Sequence, residues 1–374
     1  MRMNKILINN VLKTAWMVCA WLCATCALAQ EADRVYVSGE LSLKPGGDTE
    51  TQYFSVNIAD ASMDYVAYQV DIVLPDGLEI AYYDGELDIY IDDTTIYPTN
   101  RSKAPYHQLA MKVNKDHIRV MCYDGDGNRA FKAKSGELFK VGVVASPYLK
   151  PGDVKVQLRN IILSDINSQG PEFDAVEPAS VGTTSTTSTL TLKVSASNKF
   201  STCILPFDTQ LPAGLEAYSC EATDGNNLVL TQQSSMQAFT PYIVYAPSGF
   251  DGPLTGTVDA EQYQATVTNG YLSGTVVKTE ITGDAGNYVL QNQGEGPMFY
   301  RVGDTSFAIP AGKCWLTLPA SLQGVVAFQL HRPTGIETIP VSTLNANTLY
   351  DLSGRRIAQP AKGVYIVGGK KVVK

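Results

Sequence analysis

The sequence predicts an all-β protein: a two-sheet sandwich, then a second β-rich domain, then a small C-terminal β unit. Three observations predict it. Apolar residues alternate with polar ones at a period of two in run after run, clusters of Pro, Gly and Asp separate the runs, and a helical period is almost absent. Successive side chains of a strand point to opposite faces of a sheet, so one buried face imposes that alternation.

The first set of runs lies within residues 31–181. Val35, Val37, Gly39, Leu41 and Leu43 alternate with polar residues. The same rhythm returns at Phe54-Val56-Ile58, Val66-Tyr68-Val70-Ile72-Leu74, Ile118-Val120-Cys122, Phe139-Val141-Val143-Ala145 and Val154-Val156-Leu158. Between them stand Pro45-Gly46-Gly47-Asp48, Pro75-Asp76-Gly77, Asp124-Gly-Asp-Gly-Asn128 and Pro151-Gly152-Asp153, all turn formers. Short strands with one apolar face each are most economically packed as two facing sheets.

Leu43-Lys-Pro-Gly-Gly-Asp48, then Val66-Ala-Tyr-Gln-Val-Asp-Ile-Val-Leu-Pro-Asp-Gly-Leu-Glu79, is similar to the opening of a cohesin module. The later counterparts are Ile118-Arg-Val-Met-Cys-Tyr-Asp124, Ser135-Gly-Glu-Leu-Phe139 and Pro151-Gly-Asp-Val-Lys-Val-Gln-Leu158. The resemblance implies a cohesin-like jelly-roll β-sandwich, a fold shared with carbohydrate-binding modules of scaffoldins. Cohesins bind dockerins, and this chain has no dockerin-like calcium repeat.

Residues 182–188, within Val181 to Ser188 (VGTTSTTS), read as a Thr/Ser linker. A second β-rich domain is expected over 189–333. Its strand candidates are Leu190-Leu192-Val194, Tyr242–Tyr245, Gly274–Val277, Asn287–Leu290, Met298–Val302, Cys314–Leu318 and Val325–Leu330. Leu205-Pro-Phe-Asp208, Leu211-Pro-Ala-Gly-Leu215, Phe299-Tyr300 and Ile309-Pro-Ala-Gly-Lys313 resemble a module repeated in surface proteins of Gram-negative anaerobes, which implies a structural role.

Residues 334–374 close the chain. Leu349–Leu352 is a short strand candidate, Ser353-Gly354 a turn, Gly363–Val367 a β-branched and aromatic strand, Gly368-Gly369 a turn, and Lys370–Lys374 a basic strand. YDLSGRR followed by KGVYIVGGKKVVK resembles the type IX (Por) secretion sorting tails of the same bacteria. It implies recognition by an export machinery and a secreted or cell-surface location.

The other end agrees. Arg2, Lys5 and Lys13 precede the apolar stretch Ala15–Ala24, and Ala27-Leu28-Ala29 is an A-x-A site, so residues 1–29 read as a signal peptide. Cys23 and Cys26 lack the residues that precede a lipidated cysteine. No later stretch is long and apolar enough for a membrane span. Beyond residue 29 the chain has 26 basic and 37 acidic residues, a net −11, which argues against nucleic acid as a partner.

Four cysteines follow the leader: Cys122, Cys203, Cys220 and Cys314. Cys122, in phase with Ile118 and Val120, is expected as a buried small hydrophobe. One bridge can form among Cys203, Cys220 and Cys314, in any pairing.

Catalytic patterns are missing from the sequence. His107, His117 and His331 are scattered, there is no G-x-S-x-G, and no glycine loop precedes a helix, so the chain reads as non-enzymatic with no cofactor and no metal. Paired carboxylates leave a hydrolase as the reading to test against. Asp124-Gly-Asp-Gly-Asn128 starts like a calcium loop but has Arg129 and Ser135 where an EF-hand requires Gly and Glu; a hairpin turn is the alternative.

The local cluster that best fits a ligand is Tyr82, Tyr83, Asp84, Glu86, Tyr90, Asp92 and Tyr97. Tyrosine pairs a flat apolar ring with a polar tip and carboxylates accept sugar hydroxyls, a mixture suited to a glycan or to a surface protein. The function expected is therefore recognition of glycan or of polysaccharide-degrading machinery through the first sandwich, the alternative being a structural or adhesin subunit that binds protein partners with no sugar affinity. The bland alternative places Leu87, Ile89 and Ile91 in the core with the acids in water. Trp315 is the only tryptophan after the leader and lies far away in sequence, unlike the several exposed rings of a cellulose-binding platform.

Overall fold

The structure is a computed structural model that describes residues 33–47, 50–81, 107–126, 129–283 and 286–331, and strands at 83–84, 89–90, 96–98, 349–350, 356–357, 364–367 and 370–373. The expected leader, residues 1–29, lies outside the described residues. Among the described residues there is no α-helix, and the turns Ala260–Gln262 and Ala320–Leu322 are 3₁₀. None of the described segments is a helix long and apolar enough to cross a membrane.

The first fourteen strands are β1 (Arg34–Ser38), β2 (Leu41–Leu43), β3 (Gln52–Ala59), β4 (Ala67–Val73), β5 (Leu78–Ile80), β6 (Tyr83–Asp84), β7 (Ile89–Tyr90), β8 (Ile96–Pro98), β9 (His107–Val113), β10 (Ile118–Asp124), β11 (Gly136–Ala145), β12 (Gly152–Ser164), β13 (Glu172–Ala175) and β14 (Ala179–Thr184). One sheet runs β1-β3-β11-β5, with β8 also on β11; the other runs β2-β14-β12-β4-β10-β9, with β13 on β12. Phe54, Val56, Phe139, Val141 and Val143 of the first sheet and Val70, Ile72, Val120 and Leu158 of the second are all at 0% exposure and share one core. Each such side chain contributes about 1.5–3 kcal/mol by leaving water. Cys122 is in that core, as its phase predicts.

The run from Val35 to Leu43, which reads as one strand, is two. It breaks after Ser38, and β1 pairs with β3 while β2 pairs in parallel with β14 in the opposite sheet. Gly39 permits the crossing, since a Cβ there would stand 2.8 Å from the Val181 carbonyl oxygen and 3.0 Å from Phe54 Cβ.

The Thr/Ser stretch is not a free linker. β14 continues to Thr184, and the next strand, β15 (Thr187–Val194), follows after two residues. Threonine is β-branched and pairs well in ladders, and here both neighbouring sheets offer a partner. Thr184 is buried and donates to the Leu43 carbonyl, while Ser188, at 0% exposure, donates to the Pro147 carbonyl at 2.6 Å.

β15 pairs with Phe250–Thr257; ten further strands form one sheet from Phe200–Ile204 at one edge to Thr266–Asn269 at the other, and Thr209–Gln210 with Ser235–Met236 and Thr279–Ile281 with Phe307–Ile309 make two small two-stranded sheets. Leu190, Leu192 and Val194 are buried as the alternation predicts. Tyr148, from the loop between β11 and β12, belongs to this second core, packed with Ile204, Phe207 and Cys314. Its backbone carbonyl accepts the Tyr263 hydroxyl at 2.6 Å. The first sandwich is thus plugged into the second domain by a side chain of its own.

The tail is a four-stranded antiparallel sheet in the order Arg356–Ile357, Leu349–Tyr350, Val364–Val367, Lys370–Val373. Three of these strands fall where the turn signals at 353–354 and 368–369 place them, and Arg356–Ile357 is one that the sequence reading did not include.

Two glycines make the junction possible. Gly46, at φ +65°, would put a Cβ 1.8 Å from the Thr189 carbonyl oxygen, and Gly312, at φ +80°, would put one 1.8 Å from the Tyr148 hydroxyl. Gly46→Ala and Gly312→Ala are each expected to cost about 2 kcal/mol or more through overlap and left-handed backbone strain. Because both strike one junction, the double variant should lose less than the sum. Urea unfolding of the four proteins checks this, and unshifted midpoints would rule out the junction as described.

Candidate binding face

The second sheet has one buried face and one in solvent, and register fixes which residues share the solvent face. On β10 the buried Ile118, Val120 and Cys122 alternate with Arg119, Met121 and Tyr123, the last two being 41% and 44% exposed. Across β4, Arg119 stands opposite Asp71, Met121 opposite Gln69 and Tyr123 opposite Ala67. Across β9 the same three stand opposite Lys112, Ala110 and Gln108. On the far side of β4, β12 brings Arg159 opposite Asp71, Ile162 opposite Gln69 and Ser164 opposite Ala67.

Three rows result. One is charged, Lys112–Arg119–Asp71–Arg159. The middle one, Ala110–Met121–Gln69–Ile162, is small or apolar apart from Gln69. The third, Gln108–Tyr123–Ala67–Ser164, is polar with Tyr123, whose hydroxyl donates to Gln108 Oε1 at 3.0 Å.

The centre of the charged row is fixed by hydrogen bonds. Asp71 is only 1% exposed although it sits on the solvent face, because its neighbours cover it. Arg119 grips it with two bonds, Nε to Oδ1 and Nη2 to Oδ2, both 2.7 Å. Asn160 Nδ2 donates to Oδ2 at 2.7 Å, and His117 Nε2 stands 3.5 Å from the same oxygen. Asn160 reaches Asp71 through a bulge: between Arg159 and Ile162 β12 carries one residue more than β4, and Asn160 takes φ +44°. Burial alone would raise the Asp71 carboxyl, but the bonds from Arg119 and Asn160 outweigh it and hold it below the usual carboxylate range.

The tyrosine–carboxylate cluster is divided. Tyr83 and Asp84 lie on β6, and Tyr90 on β7, with Tyr83 the cross-strand partner of Tyr90 and Asp84 of Ile89. Tyr97 lies on β8, opposite Lys140 of β11 in the first sheet. Tyr82, Glu86 and Asp92 lie outside the described residues, as do Leu87 and Ile91. The backbone therefore brings Tyr83 and Tyr90 together, on the chain between β5 and β8 of the first sheet, and neither belongs to the rows built on the second.

The Asp124 turn spends its carboxylate on the chain itself: Oδ2 accepts the Arg129 amide at 2.8 Å and Oδ1 the Asp126 amide at 3.5 Å. His107, buried beside it, bonds through Nε2 to the Arg129 carbonyl at 3.0 Å. Among the described residues no group of three or more His, Cys, Asp or Glu side chains could hold a metal ion. Sequence reading missed Asp71 and Arg119 as a unit. An aspartate among Val70, Ile72 and Val73 was a visible signal, but its partner is 48 positions away and only strand pairing joins them.

Because the folded Asp71 carboxyl is depressed, it binds fewer protons than in the unfolded chain. Its contribution is complete above the unfolded value of ~3.9 and is lost as pH falls through the folded one. Asp71→Asn should destabilise the protein at neutral pH by less than the ~3–5 kcal/mol of a fully buried broken pair, since Arg119 keeps 38% of its side chain exposed. It should also flatten the acid limb of stability below about pH 4. Urea melts from pH 7 to pH 2.5 test both; an acid limb identical to wild type would contradict the assignment.

No protein-family model matches the chain, and no curated protein matches it. Among solved structures it is similar to a non-cellulosomal cohesin of Archaeoglobus fulgidus at 15% identity, covering 41% of this chain and 86% of that one with a TM-score of 0.26. It is also similar to the cohesin module of a Clostridium perfringens family 33 glycoside hydrolase (8% identity, 41% and 96%, TM-score 0.31). A further neighbour is the sixth cohesin of Acetivibrio cellulolyticus scaffoldin B, solved with a Cel5 dockerin (12% identity, 41% and 99%, TM-score 0.31).

Proposed function

We propose that this chain is a non-catalytic binding protein, exported through its leader and its tail, that docks a protein partner on the solvent face of β12-β4-β10-β9. The observation that carries the reading is the row pattern: Met121 and Tyr123 stand exposed on paired strands beside a charged row whose centre, Asp71 with Arg119, is held by hydrogen bonds. A rigid sheet presents these side chains with little ordering cost on binding. Four strands at ~4.8 Å and seven residues at ~3.4 Å give a patch of about 19 by 24 Å, at the small end of specific interfaces. The partner that fits seats an apolar side chain against Met121 and Ile162. It sets acidic groups opposite Lys112 and Arg159, the cations of the charged row that Asp71 does not grip.

A second reading is favoured by one observation, the pairing of Tyr83 with Tyr90. In it the β6–β7 hairpin contacts a glycan, or the protein joins polysaccharide-degrading machinery at the cell surface, with no bond broken.

The deciding experiment uses the chain without residues 1–29, in parallel on a glycan array and in crosslinking to surface proteins of the producing cell, followed by titration calorimetry with the protein found. Met121→Glu is expected to weaken that protein complex at least tenfold, about 1.4 kcal/mol, and to leave any glycan signal unchanged. A glycan hit lost in Tyr83→Ala or Tyr90→Ala, with partner binding indifferent to Met121→Glu, would replace docking by sugar recognition. Release of reducing sugar from a polysaccharide panel would overturn both.

A further inference from the structure

A cation drawn part way out of water is stabilised by a carboxylate, and the described residues include three half-buried Lys or Arg: Arg119, Lys140 and Lys313. Arg119 has Asp71 at 2.7 Å, and Lys140 has Glu137 at 3.9 Å. Lys313 has no carboxylate in reach among the described residues; its Nζ donates to the Ser201 hydroxyl at 3.2 Å. It lines a cleft of about 210 Å³ in the second domain together with Asn198, Phe200, Ser201, Gln291 and Asn292, and no acid is among the lining residues.

The strands Phe200–Ile204, Asn287–Asn292 and Lys313–Thr317 position these groups. The Cys314 amide donates to Thr202 Oγ1 at 3.0 Å, which holds the start of the third strand beside the first. Asn292 Nδ2 donates to Asn198 Oδ1 at 2.8 Å and ties the end of the second strand to the turn that precedes the first. Asn292 Oδ1 accepts the Gly294 amide and Gln291 Oε1 accepts Gln293 Nε2, both at 3.0 Å. The amide oxygens of the cleft are thus each engaged within the chain. Asn198 Nδ2 and Gln291 Nε2 donate to nothing among the described residues, and Lys313 spends one of its three protons. Phe200 adds an aromatic wall, its ring packed on Tyr245 with centroids 4.7 Å apart.

We propose that this cleft binds the carboxylate-bearing ring of an acidic sugar, with Lys313 as the counter-charge of the carboxylate. What the cleft leaves over is donors and one positive charge, so its ligand is anionic and rich in acceptors. Lys313, Asn198 and Gln291 keep about six N–H bonds for it, more than the ~four acceptor positions of one carboxylate. Hydroxyl oxygens beside the carboxylate take the surplus, and Phe200 gives the C–H face of a ring something apolar to lie against. The volume is below the ~300 Å³ at which pockets for larger ligands begin, which suits a single ring and leaves no room for an extended chain. Charge-assisted bonds from a half-buried ammonium are stronger than those it makes in water, so the carboxylate carries most of the discrimination.

This site is separate from the outer face of the first sandwich and from the β6–β7 hairpin, and it stands whichever of those binds a partner. The test titrates the chain without residues 1–29 with glucuronate and galacturonate, with glucose and galactose as neutral counterparts and acetate as the bare anion, by calorimetry and saturation-transfer NMR. At least one uronate is expected to bind ten times or more tightly than its neutral counterpart and than acetate. Lys313→Met, which keeps the length of the side chain and removes its charge, should weaken that binding at least tenfold while the melting temperature stays within a few degrees of wild type. Gln291→Ala, at a side chain outside the apolar cores, should weaken it several-fold and serves if Lys313→Met does not fold. Four results would overturn the proposal: neutral sugars binding as well as the uronates, acetate binding as tightly as either (an adventitious ion only), a glutamyl peptide binding more tightly than both, or uronate binding that survives Lys313→Met and Gln291→Ala and is lost in Tyr83→Ala. The absence of any uronate binding at millimolar concentration would overturn it as well.

Discussion

A carboxylate withdrawn from water must be surrounded by donors, and Asp71 imposes that condition on the second sheet. The acid sits on the outer side of β4, where a hydrated side chain would be ordinary, yet it is almost wholly covered. Three elements meet that condition. β10 supplies Arg119 in two-bond geometry, β12 supplies Asn160 through its bulge, and the turn before β10 supplies His117. The bonds from Arg119 and Asn160 also tie β10 and β12 to β4, so the network around Asp71 helps hold the register of the face. Isolated surface ion pairs stabilise little because solvent competes for both partners. Here the acid is shielded while the cation keeps access to water, which leaves the pair geometrically exact in register and Arg119 still able to face a partner.

The inner face of the sandwich was legible because its signal is local. Phe54-Val56-Ile58 or Ile118-Val120-Cys122 announces a strand and its buried side without reference to any other segment, and each is buried as read. What failed was where local signals are silent about destination. Val35 to Leu43 keeps one alternation across a change of sheet, since both halves bury the same parity and only Gly39 marks the turn. VGTTSTTS has the composition of a flexible segment, but threonine's branched Cβ suits a ladder, and β2 and β12 stand ready to pair with it. Composition records what a segment tolerates; neighbours decide what it does.

The same distinction governs the sites. The tyrosine–carboxylate cluster was found by contiguity, and its members spread over β6, β7 and β8 and the chain between them. The rows around Met121 were invisible by contiguity, being assembled from β4, β9, β10 and β12: on β4 and β10 they occupy the polar phase of strands that were read correctly, β9 was passed over, and Ile162 and Ser164 lie beyond the part of β12 that was read, where the bulge shifts the phase. Two strands whose pairing was known would have sufficed to find them. A sheet face is a long-range object, and its sequence signal is the residue that breaks the expected polarity: an acid between valine and isoleucine on β4, a methionine on the wet side of β10.

The two domains meet in a way that bears on how any such face is held. Tyr148 lies in the loop that joins β11 of one sheet to β12 of the other, the strand that carries Arg159, Asn160 and Ile162 on the outer face. Fixing the start of β12 by driving its preceding loop into a second core limits how far that strand can slide or peel, and the bulge that aims Asn160 at Asp71 is on the same strand. Gly46 and Gly312 then have a role beyond local turns, since each removes the one atom that would hold the domains apart. By this argument the second domain acts as a brace: its packing against the first sandwich stabilises the strand arrangement on which the outer surface depends, without itself contributing a residue to those rows.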